Sequence, residues 1–242
     1  MIRFPKIPEM RKIDVCPTPE LLHLYNLENK IAVIVDVFRA TSCITTAFAH
    51  GVAKIIPVAQ LDECRALQQQ GYLAAAERNA LKADGFDLDN SPFSYMDPVL
   101  KGQTLAMTTT NGTLAITKSR AAARVVIGSF LNRRAVTDYL LGQPHDVLVV
   151  CAGWKGKYNL EDTLFAGAVV CTLKNEFVIE DDAALAAQMI YDAAKYNMIK
   201  FIANSSHVRR LAGLHLTRDI EFCLRENLYN VVPVLENGAL VV

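Results

Sequence analysis

The 242-residue sequence is 52% hydrophobic and balances 25 Lys and Arg residues against 25 Asp and Glu residues. The hydrophobic fraction allows a sizeable core and excludes a disordered chain, while the zero formal charge gives no indication of a nucleic-acid or acidic-membrane partner. A near-zero charge also favours self-association, so we expect a homo-oligomer.

The 6 cysteines are dispersed without a CxxC motif, which indicates reduced thiols in a cytoplasmic protein and neither a disulfide framework nor a zinc site. Residues 1–11 contain no apolar stretch of signal-peptide length, and no run elsewhere reaches membrane-spanning length. We therefore expect a cytoplasmic protein that does not span a membrane.

Hydrophobic periodicity predicts an α/β chain in which short apolar runs alternate with helices. The predicted strands are 12–15, 31–35, 55–58, 73–76, 104–107, 125–127 and 147–150, with a closing hairpin of 231–235 and 239–242 that turns at Asn237-Gly238. The predicted helices are 44–50, 61–70, a segment after Thr113, 132–141, 163–174 with its start near 160–162, 182–196, 199–211 and 217–226. These elements predict a single domain, 1–242, with a layered α/β/α architecture and a largely parallel or mixed central sheet.

Polar clusters follow three of the predicted strands, at the point where each strand turns into a helix. The clusters begin at Asp36, Thr108 and Cys151. Because ligands bind at the carboxyl ends of the strands in open α/β sheets, we expect the three clusters to lie side by side along one edge. The sequence therefore predicts a shared ligand site at that edge.

The first cluster combines a carboxylate, a guanidinium and two hydroxyls, in Asp36, Arg39, Thr41 and Ser42. An Asp that follows a run of apolar residues is costly unless it is paired, hydrogen-bonded or bound to a metal. A structural Asp at the helix turn remains an alternative, but the polar neighbours favour function. Thr41 or Ser42 is expected to be the helix N-cap, and a helix N-terminus also favours an anion.

The second cluster, residues 108–113, offers hydroxyls, the Asn111 amide and the permissive Gly112. Such groups suit the binding of an oxyanion by side chains and backbone N–H groups. The same segment is equally compatible with a simple strand-to-helix turn in which Asn111 is the cap.

Two acidic pairs offer oxygen ligands for a hard cation such as Mg²⁺. Glu77 precedes Arg78, which also suits a surface ion pair, and the pair Glu161-Asp162 is also typical of a helix N-terminus. His207 is expected to face solvent or to be a satisfied histidine. The irregular stretch 78–98 is long enough to indicate a functional loop.

Several catalytic motifs are absent from the sequence, among them GxSxG, GxxxxGK[ST] and GxGxxG. Asp36 also lacks the second Asp, two places on, that many aspartyl-phosphate hydrolases carry. Cys151 has the spacing of a cysteine phosphatase, but Lys157 stands where that class has arginine. The sequence therefore indicates a cysteine nucleophile only weakly.

Together these segments resemble the 2-phosphosulfolactate phosphatase family over nearly the whole chain. Residues 36–42 (DVFRATS) resemble its DVLRATS motif, residues 85–92 (GFDLDNSP) are similar to its GFDLGNSP loop, and residues 108–113 look like its TTTNGT. Shorter matches are Glu77-Arg78 preceded by Ala76 in place of Gly, GSFLN at 128–132, CAG at 151–153 with LED at 160–162, and VPV at 232–234. The chain departs from the family pattern at Trp154, Lys155 and Val208.

The resemblance implies an α/β fold, a homodimer, and a Mg²⁺-dependent phosphatase that converts 2-phosphosulfolactate to sulfolactate and phosphate, a step toward coenzyme M. The candidate catalytic residues are Asp36, Arg39, Thr41, Ser42 and Cys151. The candidate substrate-binding residues are Arg78, Thr109, Thr110, Asn111, Gly112, Ser129 and Gly153. The candidate Mg²⁺ ligands are Asp14, Asp36, Glu77, Glu161 and Asp162.

In the expected chemistry, Arg39 holds the phosphoryl oxygens, and Asp36 binds the metal or accepts a proton. A covalent route through Asp36 or Cys151 remains open. Two other functions also remain, a phosphatase for a different small phosphorylated acid and a non-catalytic binding protein for a small dianion. The carboxylates Asp36, Glu77 and Glu161 argue against the binding protein, which would not need them.

Overall fold

A computed structural model describes residues 10–179 and 181–242 of the chain. Residues 1–9, which make up most of the segment predicted to lack a signal peptide, lie outside the described residues. Among the described helices, none combines the length and the apolar character needed to cross a lipid bilayer.

The strands of the described residues form a single mixed sheet. They are β1 (Arg11–Cys16), β2 (Lys30–Val35), β3 (Lys54–Pro57), β4 (Leu73–Arg78), β5 (Leu81–Lys82), β6 (Thr104–Thr108), β7 (Arg124–Gly128), β8 (Asp146–Cys151), β9 (Phe177–Ile179), β10 (Val234–Glu236) and β11 (Ala239–Val241). Their spatial order is β5-β4-β6-β3-β11-β10-β7-β2-β8-β1-β9. The buried strand β2 lies near the middle of its parallel group, as its uninterrupted apolar run predicted.

Helices cover both sides of this sheet, so the predicted α/β class is confirmed. They are α1 (Ala40–Ala49), α2 (Leu61–Gln69), α3 (Gly112–Lys118), α4 (Arg133–Leu141), α5 (Leu160–Leu173), α6 (Asp182–Ala194), α7 (Met198–Ile202), α8 (Ser206–Gly213) and α9 (Thr217–Cys223). Short 3₁₀ turns occupy Pro19–Leu24, Pro92–Tyr95, Pro98–Leu100 and Phe130–Asn132.

The closing hairpin lies inside the sheet, between two groups of parallel strands. β10 pairs antiparallel with β7 through Val234 and Val126, and β11 pairs antiparallel with β3 through Leu240 and Ile55. Because each side of the hairpin is antiparallel to its neighbour, the group β3, β6, β4 runs opposite to the group β7, β2, β8, β1, β9.

Twist and curvature nevertheless bring the ends of the two groups together. Six strand-to-strand steps separate β4 from β2, and a twist of roughly 20–25° per step turns the strand direction by about 120–150°. One face of the sheet also wraps around α1 and α3, since residues of both strand groups share a core with Ile44 and Ile116. The opposite face of β2 and β8 packs on α5 and α6.

Gly167 allows α5 to approach α6 closely. A Cβ at this position would lie 2.0 Å from the backbone oxygen of Ala187, so any side chain would push the helices apart. The first turn of α5 carries Glu161 and Asp162, both buried. The helix packing therefore fixes the position of two of the predicted ligands.

Most predicted elements are confirmed, and the exceptions have local causes. The predicted helix 199–211 is two helices, α7 and α8, because Ser205 caps a new helix by accepting a hydrogen bond from the Val208 N–H at 3.2 Å. The short strands β5 and β9 were not predicted. Asp181 caps α6 by accepting a hydrogen bond from the Ala184 N–H at 2.8 Å.

A candidate active site of buried carboxylates

The loop after β2 holds Asp36 against the start of α1. Asp36 is only 6% exposed, and its carboxylate accepts a hydrogen bond from the Ala40 N–H. The Thr41 hydroxyl bonds the backbone N and O of Asp36 at 3.1 and 2.9 Å, and the Ser42 hydroxyl donates to the Val37 carbonyl at 2.9 Å. These two hydroxyls therefore hold the loop in shape.

The predicted N-cap at Thr41 or Ser42 is wrong. α1 begins at Ala40, so the cap position falls on Arg39, whose side chain makes no capping hydrogen bond. Thr41 and Ser42 lie inside the first turn, where their short side chains reach back to the preceding loop.

The segment 108–113 meets this loop at Gly112. A Cβ at Gly112 would lie 2.6 Å from the Ala40 Cβ and 2.9 Å from Asp36 Oδ2, so this glycine permits a close approach of α3 to Asp36. Thr109 and Thr113 bond each other through hydroxyl and backbone at 3.0–3.2 Å. Asn111 occupies the cap position without capping, because its Oδ1 accepts from the Lys155 N–H at 3.0 Å.

Glu77 is buried at the end of β4, so the alternative of a surface ion pair is wrong. Its carboxylate accepts hydrogen bonds from the Ala80 N–H at 2.5 Å and from the Thr110 N–H at 3.2 Å. Arg78 donates to the backbone carbonyl of Glu77 and to the Thr108 hydroxyl. Thr110 therefore positions Glu77. Arg78 is not among the residues that line the cleft described below.

Asp162 links two strand ends. Its Oδ1 accepts from the Val37 N–H at 2.9 Å and its Oδ2 from the Gly153 N–H at 3.1 Å. Glu161 is fully buried beside it, and only one of its carboxylate oxygens is satisfied: Oε1 lies 2.6 Å from Nδ1 of His207, whereas Oε2 is buried without a hydrogen-bond partner. Both acids also lie in the first turn of α5, where the helix dipole favours them.

His207 is buried, so the expectation of a solvent-facing histidine is wrong, although the alternative of a satisfied histidine is correct. Besides Glu161, its Nδ1 lies 3.2 Å from Nδ2 of Asn159, and its ring packs edge-on against Phe38. The sequence carried one signal for this residue, a polar pair with Arg210 at the i, i+3 spacing that shares a helix face.

Arg39 is buried and its guanidinium is already engaged. Nη1 donates to Asp219 Oδ2 at 2.5 Å and Nη2 donates to the Ala80 carbonyl at 2.8 Å. The second oxygen of Asp219 accepts from the Ser91 hydroxyl at 3.1 Å, which joins the irregular stretch 78–98 to α9. Asp219 was missed because nothing in its local sequence marks a partner that lies 180 residues away.

These groups surround one cleft with an empty volume of about 340 Å³. Its lining residues are Asp36, Phe38, Arg39, Glu77, Ala80, Asn90, Asn111, Trp154, His207, Arg210 and Leu211. A larger and more open depression, which includes Pro19, Tyr25 and Lys118, shares no lining residue with this cleft. We take the cleft as the candidate site because the buried carboxylates converge there.

Two of the clustered carboxylates have a raised pKa. Burial raises the pKa of Asp36 to about 7; His207 opposes this rise, while Glu77 and Glu161 add to it. Burial, together with the charges of Glu161 and Asp36, raises the pKa of Asp162 well above its ordinary value. Such perturbed acids in a cleft are typical of catalytic or cation-binding sites.

Of the predicted site residues, Asp36, Arg39, Glu77 and Asn111 line the cleft. Asp14, Ser129 and Cys151 are among those that do not, and their surroundings are structural. Asp14 forms an ion pair with Lys30 at 2.7 Å, and its strand neighbour on β8 is Leu148, three residues before the strand end. Ser129 hydrogen-bonds Thr45 and Asn132. Cys151 is fully buried, and burial raises the pKa of its thiol well above the ordinary value, which disfavours a thiolate nucleophile.

The three strand-end clusters are not on neighbouring strands as expected. β2 and β8 are adjacent, but five strand-to-strand steps separate β6 from β2. The clusters meet because the sheet curves around α1 and α3. They lie close together as predicted, but not because their strands are neighbours. Among residues 10–179 and 181–242, no group of three or more His, Cys, Asp or Glu side chains forms a ready metal cage.

The fold and the cleft together define an α/β enzyme for a small, anionic substrate. A model of the 2-phosphosulpholactate phosphatase family matches residues 16–238. A probable 2-phosphosulfolactate phosphatase of Thermotoga petrophila is 41% identical over 215 residues, which cover 89% of this chain and 93% of the relative.

Two other relatives bear the same name. The protein of Caldanaerobacter subterraneus subsp. tengcongensis is 40% identical over 218 residues, covering 88% of this chain and 90% of the relative. That of Clostridium beijerinckii is 34% identical over 235 residues, covering 95% and 98%. The chain belongs to the 2-phosphosulpholactate phosphatase family, a family of phosphoric monoester hydrolases.

Proposed function

We propose that this protein hydrolyses 2-phosphosulfolactate to sulfolactate and phosphate with the help of Mg²⁺. The observation that carries the proposal is a cleft lined by the buried carboxylates Asp36 and Glu77 together with Arg39 and Arg210. A third carboxylate, Glu161, lies behind the cleft against His207 and close enough to raise the pKa of Asp36. The names of the relatives support the choice of substrate. We also propose that the reaction belongs to coenzyme M biosynthesis and that the enzyme is a homodimer, as the family resemblance favours. The dispersed cysteines favour a cytoplasmic location.

The carboxylates in the cleft wall and directly behind it fit a hard cation. Glu161 Oε2 is buried without a partner, and neighbouring carboxylates raise the pKa of Asp36, so added positive charge would relieve both. Mg²⁺ usually takes one or two carboxylates and completes its shell with water and substrate phosphate, so a full protein cage is not required. We assign Glu161 and Glu77 as the residues that would hold it, and Asp162 as a residue that shapes the loops around them. When bound, Mg²⁺ would supply positive charge against the phosphoryl oxygens.

The protein's own residues position the reactants and move the protons. Asp36, whose pKa is about 7 without a cation, suits the role of the base that accepts a proton from the attacking water, and a nearby cation would keep it ionised. Water oxygen forms a bond to phosphorus as the bond from phosphorus to the C2 oxygen breaks. The leaving oxygen keeps the electron pair and takes a proton from His207, the imidazole that lines the cleft. Asp219 and Ala80 keep the Arg39 guanidinium at the start of α1, where its charge favours the phosphoryl group.

A covalent route through Cys151 is disfavoured by its burial and its raised pKa. A non-catalytic binding protein is disfavoured because the chain belongs to a family of hydrolases.

The test is phosphate release from 2-phosphosulfolactate by the metal-stripped protein, with Mg²⁺ added back or with EDTA in excess. We expect turnover with Mg²⁺ and loss of at least about 10³-fold in EDTA, because the clustered carboxylates would otherwise repel the substrate. Full activity in EDTA would remove the metal from the proposal, and no release from this substrate under any condition would remove the substrate.

A further inference from the structure

Two arginines line the cleft, and only one of them has its partners. Arg39 is bound by Asp219 and the Ala80 carbonyl, whereas Nη2 of Arg210 is buried without a hydrogen-bond partner among the described residues. A buried guanidinium N–H without an acceptor is costly unless a ligand supplies one. Nη2 of Arg210 therefore lacks an acceptor among the described residues, and an anionic ligand would supply one.

Trp154 holds the plane of the Arg210 guanidinium. The guanidinium carbon lies 3.9 Å from the centroid of the indole, and Nζ of Lys155 lies 4.9 Å from the same centroid. Stacking leaves the edge N–H groups of an arginine free to meet a planar or trigonal oxyanion.

The turn 153–157, which carries Trp154, is held to the rest of the cleft by hydrogen bonds. Trp154 and Lys157 exchange two backbone hydrogen bonds at 2.8 and 3.0 Å. Gly153 has φ +58°, and a Cβ there would lie 2.4 Å from the Lys157 oxygen, so only glycine allows this turn. Lys155 reaches Asn111 through its backbone N–H and Asn79 through its Nζ, both at 3.0 Å.

Arg210 lies on the leaving-group side of the proposed reaction. It follows His207 by three residues on α8 and both line the cleft, so it lies beside the residue assigned to protonate the leaving oxygen. The leaving acid of 2-phosphosulfolactate carries a carboxylate and a sulfonate. A sulfonate is a weakly basic anion with three oxygens, and the weakly hydrated guanidinium suits it better than an ammonium would.

We infer that Arg210, stacked on Trp154, binds the sulfonate of the substrate and makes the enzyme prefer sulfonated over sulfonate-free 2-phospho acids. This inference rests on the proposed function. Trp154 is a positioning residue in this scheme, because it acts through the orientation of Arg210.

The test compares two substrates that differ only in the sulfonate, 2-phosphosulfolactate and 2-phospholactate. Arg210→Met should lower kcat/KM for the sulfonated substrate by about 10- to 100-fold, the range for a lost charged hydrogen bond, and change it less than about 3-fold for 2-phospholactate. Arg210→Lys should recover only part of the loss. Arg209→Met is the matched control, since Arg209 is the exposed neighbour on the same helix, and it should behave as the wild type with both substrates.

Trp154 is tested by rescue. Trp154→Leu should raise KM for the sulfonated substrate several-fold with little change in kcat, while Trp154→Phe, which keeps an aromatic face, should restore most of the affinity. A purely structural role would lower the activity with both substrates alike in the leucine and phenylalanine variants.

Equal losses with both substrates in Arg210→Met would overturn the inference and assign Arg210 to the phosphoryl group or the carboxylate. No loss with either would also overturn it. If the wild type does not hydrolyse 2-phosphosulfolactate, the proposed function fails, and calorimetric binding of sulfolactate then decides the inference: tight binding lost in folded Arg210→Met or Arg210→Lys supports it, and no binding to the wild type rejects it.

Discussion

Asp14 and the acids at the cleft are all buried, but their environments are opposite. Asp14 lies on β1 with Lys30 at 2.7 Å, so its charge is neutralised within the fold. Asp36 and Glu77 are buried in the wall of the cleft and Glu161 and Asp162 are buried behind it, and no lysine or arginine forms an ion pair with any of the four in the described residues. Their surroundings are backbone N–H groups, hydroxyls and one histidine.

The difference separates a structural acid from a functional one. A buried ion pair resolves its own desolvation cost, and the fold needs nothing further. Burial and the neighbouring carboxylates raise the pKa of Asp36 and of Asp162, which leaves a cost that a cation or a proton must relieve, and such acids persist where a reaction uses them. Asp14 was predicted as a fifth ligand from its residue type, but the structure separates it from the cleft by its pairing with Lys30.

The largest expected effect is a contrast between two substitutions: Asp36→Asn should lose activity, whereas Asp14→Asn should lose stability. Asp36→Asn should lower kcat by roughly two to four orders of magnitude, the range for a lost acid–base group, without loss of stability. Asp14→Asn should leave kcat within about 3-fold but lower the free energy of unfolding by about 1–3 kcal/mol, because Lys30 loses its partner in a partly exposed site.

Steady-state kinetics and urea unfolding of both variants check this contrast. If Asp36→Asn unfolds while its folded fraction turns over normally, Asp36 is structural. If Asp14→Asn loses activity at wild-type stability, Asp14 belongs with the ligands after all.

The second prediction concerns the pH dependence of stability in EDTA. Because the folded pKa of Asp36 is raised from 3.8 to about 7, ionisation of Asp36 costs folding free energy. The cost is absent below about pH 4, grows between pH 4 and 7 and is complete above pH 7. At 1.36 kcal/mol per pKa unit, its upper limit is about 4 kcal/mol.

Asp36→Asn should therefore be more stable than the wild type at pH 8, and the difference should shrink towards pH 5. Urea denaturation at both pH values measures this difference. Asp14→Asn is the control, and it should be less stable than the wild type at pH 8. A difference that grows on acidification would contradict the assignment.

A third, smaller effect is the release of protons by Mg²⁺. A cation beside Asp36 lowers its pKa, so binding at pH 7 should release up to about half a proton per site from this group. Calorimetry in two buffers of different ionisation enthalpy measures the number. Release should fall sharply in Asp36→Asn, and an unchanged number there would assign the protons to Asp162 instead.

The smallest expected effect belongs to Cys151. Cys151→Ser should retain activity within about 5-fold, since the thiol is buried and its pKa is raised well above the ordinary value. A stable phosphocysteine trapped in the wild type and absent from the variant would reverse the proposed mechanism.

Much of the fold could be predicted because the signals that mark the interior strands lie within each strand's own sequence. The apolar run 31–35 and the glycine after α1 mark a buried strand and a helix end without reference to the rest of the chain. The placement of Asp36 and Glu161 at strand and helix ends also follows from the local pattern. Their convergence required only the rule that ligands gather at strand ends.

What could not be predicted depends on contacts between distant residues. Asp219 and Arg210 come from helices more than 150 residues beyond Asp36, and nothing in the local sequence indicates that they meet it. Thr41 and Ser42 look like caps in the sequence, but the helix starts earlier because their hydroxyls bond the loop behind them. The position of the hairpin within the sheet is likewise a matter of pairing partners, which a strong Asn-Gly turn does not specify.

The hairpin has a consequence for synthesis of the protein. β10 and β11 are the last strands in chain order, yet they alone join β7 to β3 in the described sheet. A nascent chain that still lacks them presents two open strand edges, both capable of pairing with another molecule. Pairing of the two strand groups into one continuous sheet therefore requires residues 234–241, and shielding of the open edges by chaperones before these residues are synthesised would assist folding.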